Sequence, residues 1–371
     1  MLLRNNRVPV LLFFLLFTTI ACQNEAVAAS VQDAAKLAHN QAQSPSVPAA
    51  TPQSQDPQPS SQKTPAQPAQ DQPGPSQPSQ SQQTQGRSQS SSDSVFVFKK
   101  EVEEVVVHAT VMDDKNHLVT NLDKSAFSVF ENNQQQAITS FRHEDIPVAM
   151  GIVIDNSGSM REKRDKVNKA ALNLVRSSNP QDQVFVVNFN DEYYLDQDFT
   201  DNINKLREAL EKVEARGGTA LYDAILASAN HLKDAKLQKK ILFVVTDGED
   251  NASRNSLEET IRKLQEENGP TVYAIGLLGD EKARRARRAL ETIAQRTGGI
   301  AFLPRTLDEV DQISSSVAHD IRNQYTIGYK PSTPKSAGGY RAIHVEAKAK
   351  GYGKLTVRTR SGYFPGEEHA R

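Results

Sequence analysis

Apolar runs and helical repeats alternate along the middle of the chain. The apolar runs are short and rich in β-branched residues, which is typical of buried strands. The predicted strands are 148–154, 184–189, 241–246, 271–276 and 300–303, with a short edge strand near 193–195. The predicted helices are 161–177, 201–214, 221–233, 256–267, 281–296 and 307–322. This alternation predicts an α/β fold, with a doubly wound, mostly parallel sheet and helices on both faces.

The residues on either side of this region show a strand pattern without long helices. The predicted flanking strands are 95–98, 102–112, 127–130, 137–141, 325–329, 342–347 and 355–359. Asn132 and Asn133 predict a turn that joins 127–130 and 137–141 as a hairpin. We expect the flanks, 94–146 and 323–365, to pair into one small β-sandwich-like domain. The α/β domain, 147–322, would then be an insertion, and 366–371 a tail.

The N-terminus has the pattern of an export signal. Arg4 and Arg7 precede the apolar stretch 8–21, which is too short to cross about 30 Å of hydrocarbon as a helix. Such a stretch is typical of a secretory signal peptide, here 1–22. The only cysteine, Cys22, ends it within a sequence that resembles a bacterial lipobox. The resemblance implies lipidation of Cys22, and Gln23 after it resembles signals for the outer membrane.

Cleavage after Ala28 is the alternative, and either outcome implies export to the envelope, the periplasm or the medium. Residues 23–93 are rich in Gln, Ser, Pro and Ala and contain no aromatic side chain. Such a segment buries too little apolar surface to offset its chain entropy, so we expect a disordered linker.

Charge and motifs narrow the classes of function. The 44 Lys and Arg residues balance the 45 Asp and Glu residues, which argues against nucleic acid as a partner. The densest basic cluster is interpreted as a solvated helix face; it comprises Arg284, Arg285, Arg287 and Arg288. The eight histidines form no close metal-binding pair, and the sequence has no nucleophile elbow and no phosphate loop. We therefore expect a protein that is not an enzyme.

Small oxygen-bearing side chains follow two of the predicted strands. Asp155, Ser157 and Ser159 come directly after 148–154, and Asp247 follows 241–246. Thr219 precedes the predicted helix 221–233. In open α/β sheets, ligands bind beyond the carboxyl ends of the strands, so these side chains are expected to meet there. Hydroxyl and carboxylate oxygens suit Mg²⁺.

This pattern resembles the metal-ion-dependent adhesion site of the von Willebrand factor type A domain. The matching residues are Asp155, Ser157, Ser159, Thr219 and Asp247. The resemblance implies that the serine hydroxyls bind Mg²⁺ or another divalent ion such as Mn²⁺. It implies that Thr219 binds directly or through water, and that the two aspartates act largely through water. An open position would then accept an Asp or Glu carboxylate from a partner protein.

The flanks resemble those of bacterial exported proteins with such a domain, in the segment Phe-Ser-Val-Phe-Glu at 127–131 and in Arg-Ser-Gly-Tyr at 360–363. The leading hypothesis is a non-enzymatic, Mg²⁺-dependent protein-binding module, used for adhesion or as a scaffold, and anchored in the envelope by its lipid. The alternatives are a structural component whose ion only stabilises it and, third, a metal-dependent hydrolase. Ligand specificity would come from nearby loop residues, for which the candidates are 190–194, Tyr222, Glu249, Asp250 and Asn251. Asp223 has three candidate roles: it could support the site, cap its helix or pair with a basic neighbour.

Overall fold

The computed structural model describes residues 104–279 and 284–366, so the predicted signal peptide, Cys22, the linker and strand 95–98 lie outside the described residues. The strands are β1 (Val105–Met112), β2 (Phe127–Glu131), β3 (Gln134–Gln136), β4 (Ile138–Arg142), β5 (Val148–Asp155), β6 (Gln183–Phe189), β7 (Tyr193–Thr200), β8 (Lys239–Thr246), β9 (Thr271–Gly276), β10 (Ala301–Phe302), β11 (Tyr325–Tyr329), β12 (Arg341–Ala347), β13 (Thr356–Arg358) and β14 (Gly362–Tyr363). The helices are α1 (Arg164–Arg176), α2 (Ile203–Glu211), α3 (Leu221–His231), α4 (Leu257–Leu264), α5 (Arg284–Thr297) and α6 (Glu309–Arg322). Within these residues, none of the helices is long and apolar enough to cross a membrane.

The central sheet has six strands in the order β10-β9-β8-β5-β6-β7. All neighbouring pairs are parallel except β6 and the edge strand β7, which are antiparallel. Every residue of β5 is buried, as expected for a strand covered on both faces. The predicted α/β fold with a mostly parallel sheet is therefore confirmed.

Alternation along β5 divides the core into two layers. Met150, Ile152 and Ile154 face a cluster that includes side chains of α1, α2 and α6. Ala149 and Val153 face the opposite cluster, which includes side chains of α3, α4 and α5. Because side chains alternate between the two faces of a strand, β5 contributes apolar side chains to the core on both faces of the sheet.

The flanks form two four-stranded sheets that share one core. One sheet has the order β13-β1-β11-β4 and the other β14-β12-β2-β3, so each contains strands from both ends of the described chain. Strand β1 pairs antiparallel with β11, and β12 pairs antiparallel with β2. Their inward side chains form a third apolar cluster, which includes Val107, Val129 and Ile327.

The predicted hairpin is wrong in its second strand. Asn132 and Asn133 both have positive φ, at 50° and 65°, which is the backbone of a tight two-residue turn. The turn brings β3, rather than 137–141, against β2. Strand β4 instead pairs with β11 in the other sheet.

Helix α6 begins two residues later than predicted. The carboxylate of Glu309 accepts hydrogen bonds from the backbone N–H of Thr306, at 3.0 Å, and from its hydroxyl, at 3.1 Å. Only one half of a capping box is therefore formed, and Asp308 occupies the N-cap position. A complete capping box is found instead at α4, between Ser256 and Glu259.

A buried polar cluster joins α6 to both the central sheet and the flanking sheets. The Asp320 carboxylate accepts hydrogen bonds from Thr110 of β1, at 3.1 Å, and from Arg358 of β13, at 2.5 Å. It also accepts one from the Tyr273 hydroxyl of β9. Lys239, at the start of β8, donates to the backbone carbonyl of Ile321. These bonds fix the last helix against both groups of strands.

Candidate metal centre

Asp155 is the last residue of β5, and its carboxylate is held on both oxygens. One oxygen accepts the Ser157 backbone N–H at 2.7 Å, and the other accepts the Thr246 hydroxyl at 2.6 Å. The side chain is fully buried. Burial raises the pKa of Asp155, the two hydrogen bonds oppose that rise, and the nearby Asp247 carboxylate adds to it. A buried anion beside a second anion is an arrangement that a cation would stabilise.

The two serine hydroxyls lie between Asp155 and Asp247. Ser157 Oγ and Ser159 Oγ are 3.2 Å apart, and Ser159 Oγ donates to Asp247 Oδ1 at 2.8 Å. A short 3₁₀ turn, Gly158–Met160, sets this spacing before α1 begins. Ser157 and Ser159 therefore form one continuous row of oxygens with the Asp247 carboxylate.

Thr219 reaches the same edge of the sheet from the loop before α3. Its backbone N–H donates to the Asn251 side chain at 2.9 Å, and its carbonyl accepts the Asn251 N–H at 3.0 Å. A Cβ built on Gly248 would lie 3.4 Å from Thr219 Oγ1, so the Thr219 hydroxyl faces the turn that follows Asp247. The five side chains suggested by the sequence thus lie around one crevice at the carboxyl ends of β5 and β8.

Glycine is required in the loop that carries Thr219. Gly217 has a φ of +76°, and a Cβ there would lie 2.0 Å from Asp191 Oδ2. The same Asp191 side chain accepts the Gly218 N–H at 2.8 Å. The Gly158 N–H also donates to the Gly217 carbonyl at 3.2 Å. The loop is therefore packed directly against the serine segment.

The donor set fits a Mg²⁺ ion. Neighbouring ligands of an octahedral Mg²⁺ lie about 3.0 Å apart, because each is about 2.1 Å from the ion. The separation of the two serine hydroxyls, 3.2 Å, is close to this value. In residues 104–279 and 284–366, no group of three or more His, Cys, Asp or Glu side chains is arranged to hold a metal. Any ion here would therefore depend on hydroxyl ligands as well as on Asp155 and Asp247.

Residues 150–249 match the family model of the von Willebrand factor type A domain. This stretch contains most of β5, all of β8 and all five candidate ligands. The chain contains a von Willebrand factor type A domain. The resemblance stated from the sequence is thereby confirmed for the domain; the identity of the metal ligands stays a prediction.

One curated relative is inter-alpha-trypsin inhibitor heavy chain H4 from Bos taurus, 26% identical over 173 residues. The match covers 42% of this chain but only 18% of that protein. Among solved structures, a von Willebrand factor type A protein from Catenulispora acidiphila has a TM-score of 0.42 at 15% identity and covers 73% of this chain and 76% of that one. The vWF domain of the pilus tip protein Mfa5 from Porphyromonas gingivalis has a TM-score of 0.41 at 14% identity, with coverages of 48% and 97%.

Several acidic residues near the candidate centre of the von Willebrand factor type A domain have structural partners. Asp250 accepts the Tyr222 N–H at 2.9 Å and the Ser253 hydroxyl at 2.6 Å, and so holds the start of α3. Asp223 accepts the backbone N–H of Arg254 at 3.0 Å, which orders the loop before α4. Fixing this loop is a role that the sequence did not suggest for Asp223.

Lys163 is a residue at the centre that the sequence did not single out. Its ammonium group contacts Asp247 Oδ2, while Asp247 Oδ1 accepts from Ser159. The Lys163 side chain is 28% exposed and the Asp247 side chain is buried. Both oxygens of the Asp247 carboxylate therefore have polar partners. The only sequence signal was its position in the first turn of the predicted helix 161–177, directly after the serine segment.

The edge strand of the domain exposes a run of large apolar side chains. Tyr193, Tyr194 and Leu195 are 50%, 43% and 49% exposed. Tyr193 pairs with Phe189, which pairs with Asp155, so Tyr193 lies in the same row as Asp155, two strands away. Adjacent strands are about 4.8 Å apart, so the backbone of Tyr193 lies about 10 Å from the backbone of Asp155 in the candidate centre.

The four arginines at the start of α5 are exposed, as expected for a solvated helix face. Arg285 contacts Glu249 at 3.5 Å, in an ion pair whose side chains are 87% and 42% exposed. Exposed pairs of this kind contribute about 1 kcal/mol or less. The Arg285–Glu249 contact nevertheless shows that α5 begins beside the turn that follows Asp247.

Proposed function

We propose that the chain is a non-enzymatic, Mg²⁺-dependent protein-binding module of the bacterial cell envelope. Ser157 and Ser159 would hold the ion through their hydroxyls, with Thr219 directly or through water. Asp155 and Asp247 would balance its charge, largely through water. The observation that supports this best is the row of oxygens formed by Ser157, Ser159 and Asp247.

The chemistry of the donors favours binding over catalysis. Only two of the five ligands are charged, so a divalent ion would stay electron-poor and would attract an anionic oxygen. Ser159 lies exposed at the mouth of the crevice, whereas Asp155 is buried beneath it. A partner carboxylate, from Asp or Glu, would approach from this exposed side.

Tyr193 and Leu195, which lie on the same face of β7, supply an exposed contact surface beside the ion. Tyrosine is enriched among the residues that contribute most to binding in protein interfaces. A ligand whose carboxylate reached the ion would also cover this surface, about 10 Å away. Affinity would then come from both contacts, and specificity mainly from the apolar one.

The place of action rests on the sequence. We propose export through the signal peptide 1–22 and attachment to the outer membrane through a lipid on Cys22. The linker 23–93 would then separate the folded residues from the membrane surface.

The test is affinity capture of partners from a detergent extract of the cell envelope. The protein would serve as bait in Mg²⁺, in chelator, and as Ser157→Ala in Mg²⁺. Ser315→Ala, on the exposed face of α6, is the matched control. We expect specific partners with the wild type and the control in Mg²⁺ only. Identical partners under all conditions would contradict the proposal and favour an ion that only stabilises the domain.

A further inference from the structure

Lys163 brings a fixed positive charge to the candidate metal centre. Its ammonium group contacts Asp247 on the oxygen that Ser159 does not use. The backbone N–H of Lys163 donates to the Met160 carbonyl at 2.9 Å, and the Lys163 carbonyl accepts from Val167 at 3.1 Å. The segment that carries the two serines therefore also fixes the lysine.

We propose that Lys163 determines the ligand preference of this centre, an inference that rests on the proposed function. Asp155 and Asp247 carry two negative charges, and Lys163 cancels one of them. A divalent ion would then give the centre a net charge of plus one, whereas without the lysine the centre would be neutral. A positive centre attracts a carboxylate more strongly than it attracts a neutral ligand.

The same charge opposes metal binding. The ammonium group repels a divalent ion and occupies an oxygen of Asp247 that would otherwise face it. Because both charges lie in a largely buried site, screening by salt is weak. Lys163 would therefore lower the affinity for the metal ion and raise the affinity for an anionic ligand. The two effects have opposite signs, and a role limited to folding would not produce that pattern.

Two titrations measure these effects on the purified protein. Calorimetry gives the affinity for Mg²⁺. For the carboxylate, Mn²⁺ replaces Mg²⁺, and acetate is titrated at constant ionic strength while the relaxation of water protons is followed. Acetate that displaces water from the bound Mn²⁺ lowers the relaxation rate. The variants are Lys163→Met, Lys163→Arg and the control Lys169→Met, which removes an exposed lysine of the following helix, α1.

We expect Lys163→Met to bind Mg²⁺ about tenfold more tightly and acetate about tenfold more weakly than the wild type, which corresponds to the removal of one nearby charge. Lys163→Arg and Lys169→Met should resemble the wild type. Unchanged affinities in a folded Lys163→Met protein would overturn the inference and leave the proposed function standing. If the wild-type protein bound neither Mg²⁺ nor Mn²⁺, both this inference and the proposed function would be wrong.

Discussion

The hydrogen bond from Thr246 to Asp155 offers a sharp test of how the centre is built. Thr246 ends β8 and donates to the buried Asp155 carboxylate at 2.6 Å. Thr246→Val keeps the shape of the side chain and removes the donor. A hydrogen bond to a charged group contributes about 1.5–3 kcal/mol, because a buried anion left without a donor keeps the cost of its desolvation.

Thr260 provides a matched control. Both threonines are fully buried, but the Thr260 hydroxyl donates to the neutral backbone carbonyl of Ser256, at 2.8 Å. A neutral hydrogen bond contributes about 1 kcal/mol. We therefore expect Thr246→Val to lower the free energy of unfolding by about 0.5–2 kcal/mol more than Thr260→Val.

The assay is urea unfolding in the presence of chelator, followed by far-ultraviolet circular dichroism because the chain has no tryptophan. Chelator removes any contribution of a bound ion to the comparison. Equal losses in the two variants would refute the idea that Thr246 stabilises a buried, charged carboxylate.

Four further predictions follow from other parts of the chain. Asp320→Ala should lower the free energy of unfolding by about 3 kcal/mol, measured by urea unfolding, because Arg358 is left unpaired in a largely buried site. Burial lowers the pKa of Lys239 from 10.5 to about 8, so between these values the folded state holds fewer protons than the unfolded state. The free energy of unfolding should therefore rise with pH over this range, and Lys239→Met should lack that contribution, in urea titrations at each pH. Tyr193→Ser should reduce partner capture about tenfold, in pull-downs with Mg²⁺, since an exposed aromatic contact is lost. Cys22→Ser should move the protein from the membrane fraction to the soluble fraction, and an unchanged distribution would argue against lipidation.

The central strands were predictable because their signals are local. A run such as 148–154 is apolar at every position, and only a strand covered on both faces buries all of it. The predicted ends of the five central strands agree with the structure to within two residues. The position of Asp155 and Asp247 at the ends of such runs was enough to place them at one edge of the sheet.

The hairpin error has a physical cause. Residues 134–136 are three glutamines, so they carry no hydrophobic signal, whereas Ile138–Arg142 contains two large apolar side chains, Ile138 and Phe141. The geometry of the turn decided the pairing instead. Two asparagines with positive φ leave space for a two-residue turn only, and the returning strand must therefore begin at Gln134.

Local sequence patterns did not predict contacts between residues that are far apart along the chain. Thr110 and Asp320, for example, are 210 positions apart and meet in one buried cluster. Lys163 was missed for a related reason, since a lysine near the start of a helix is usually solvated. Only the folded position of Asp247 shows that the lysine belongs to the candidate centre.

The most direct test of the account is a crystal structure of the protein grown with Mn²⁺ and examined by anomalous diffraction. We predict one anomalous peak between Ser157, Ser159 and Thr219, bonded to the serine hydroxyls at about 2.2 Å, slightly longer than for Mg²⁺. At least one position on its exposed side should hold water or a carboxylate. An anomalous map without a peak at this edge of the sheet, or an ion enclosed entirely by protein ligands, would contradict the claim that the centre binds partners through a metal.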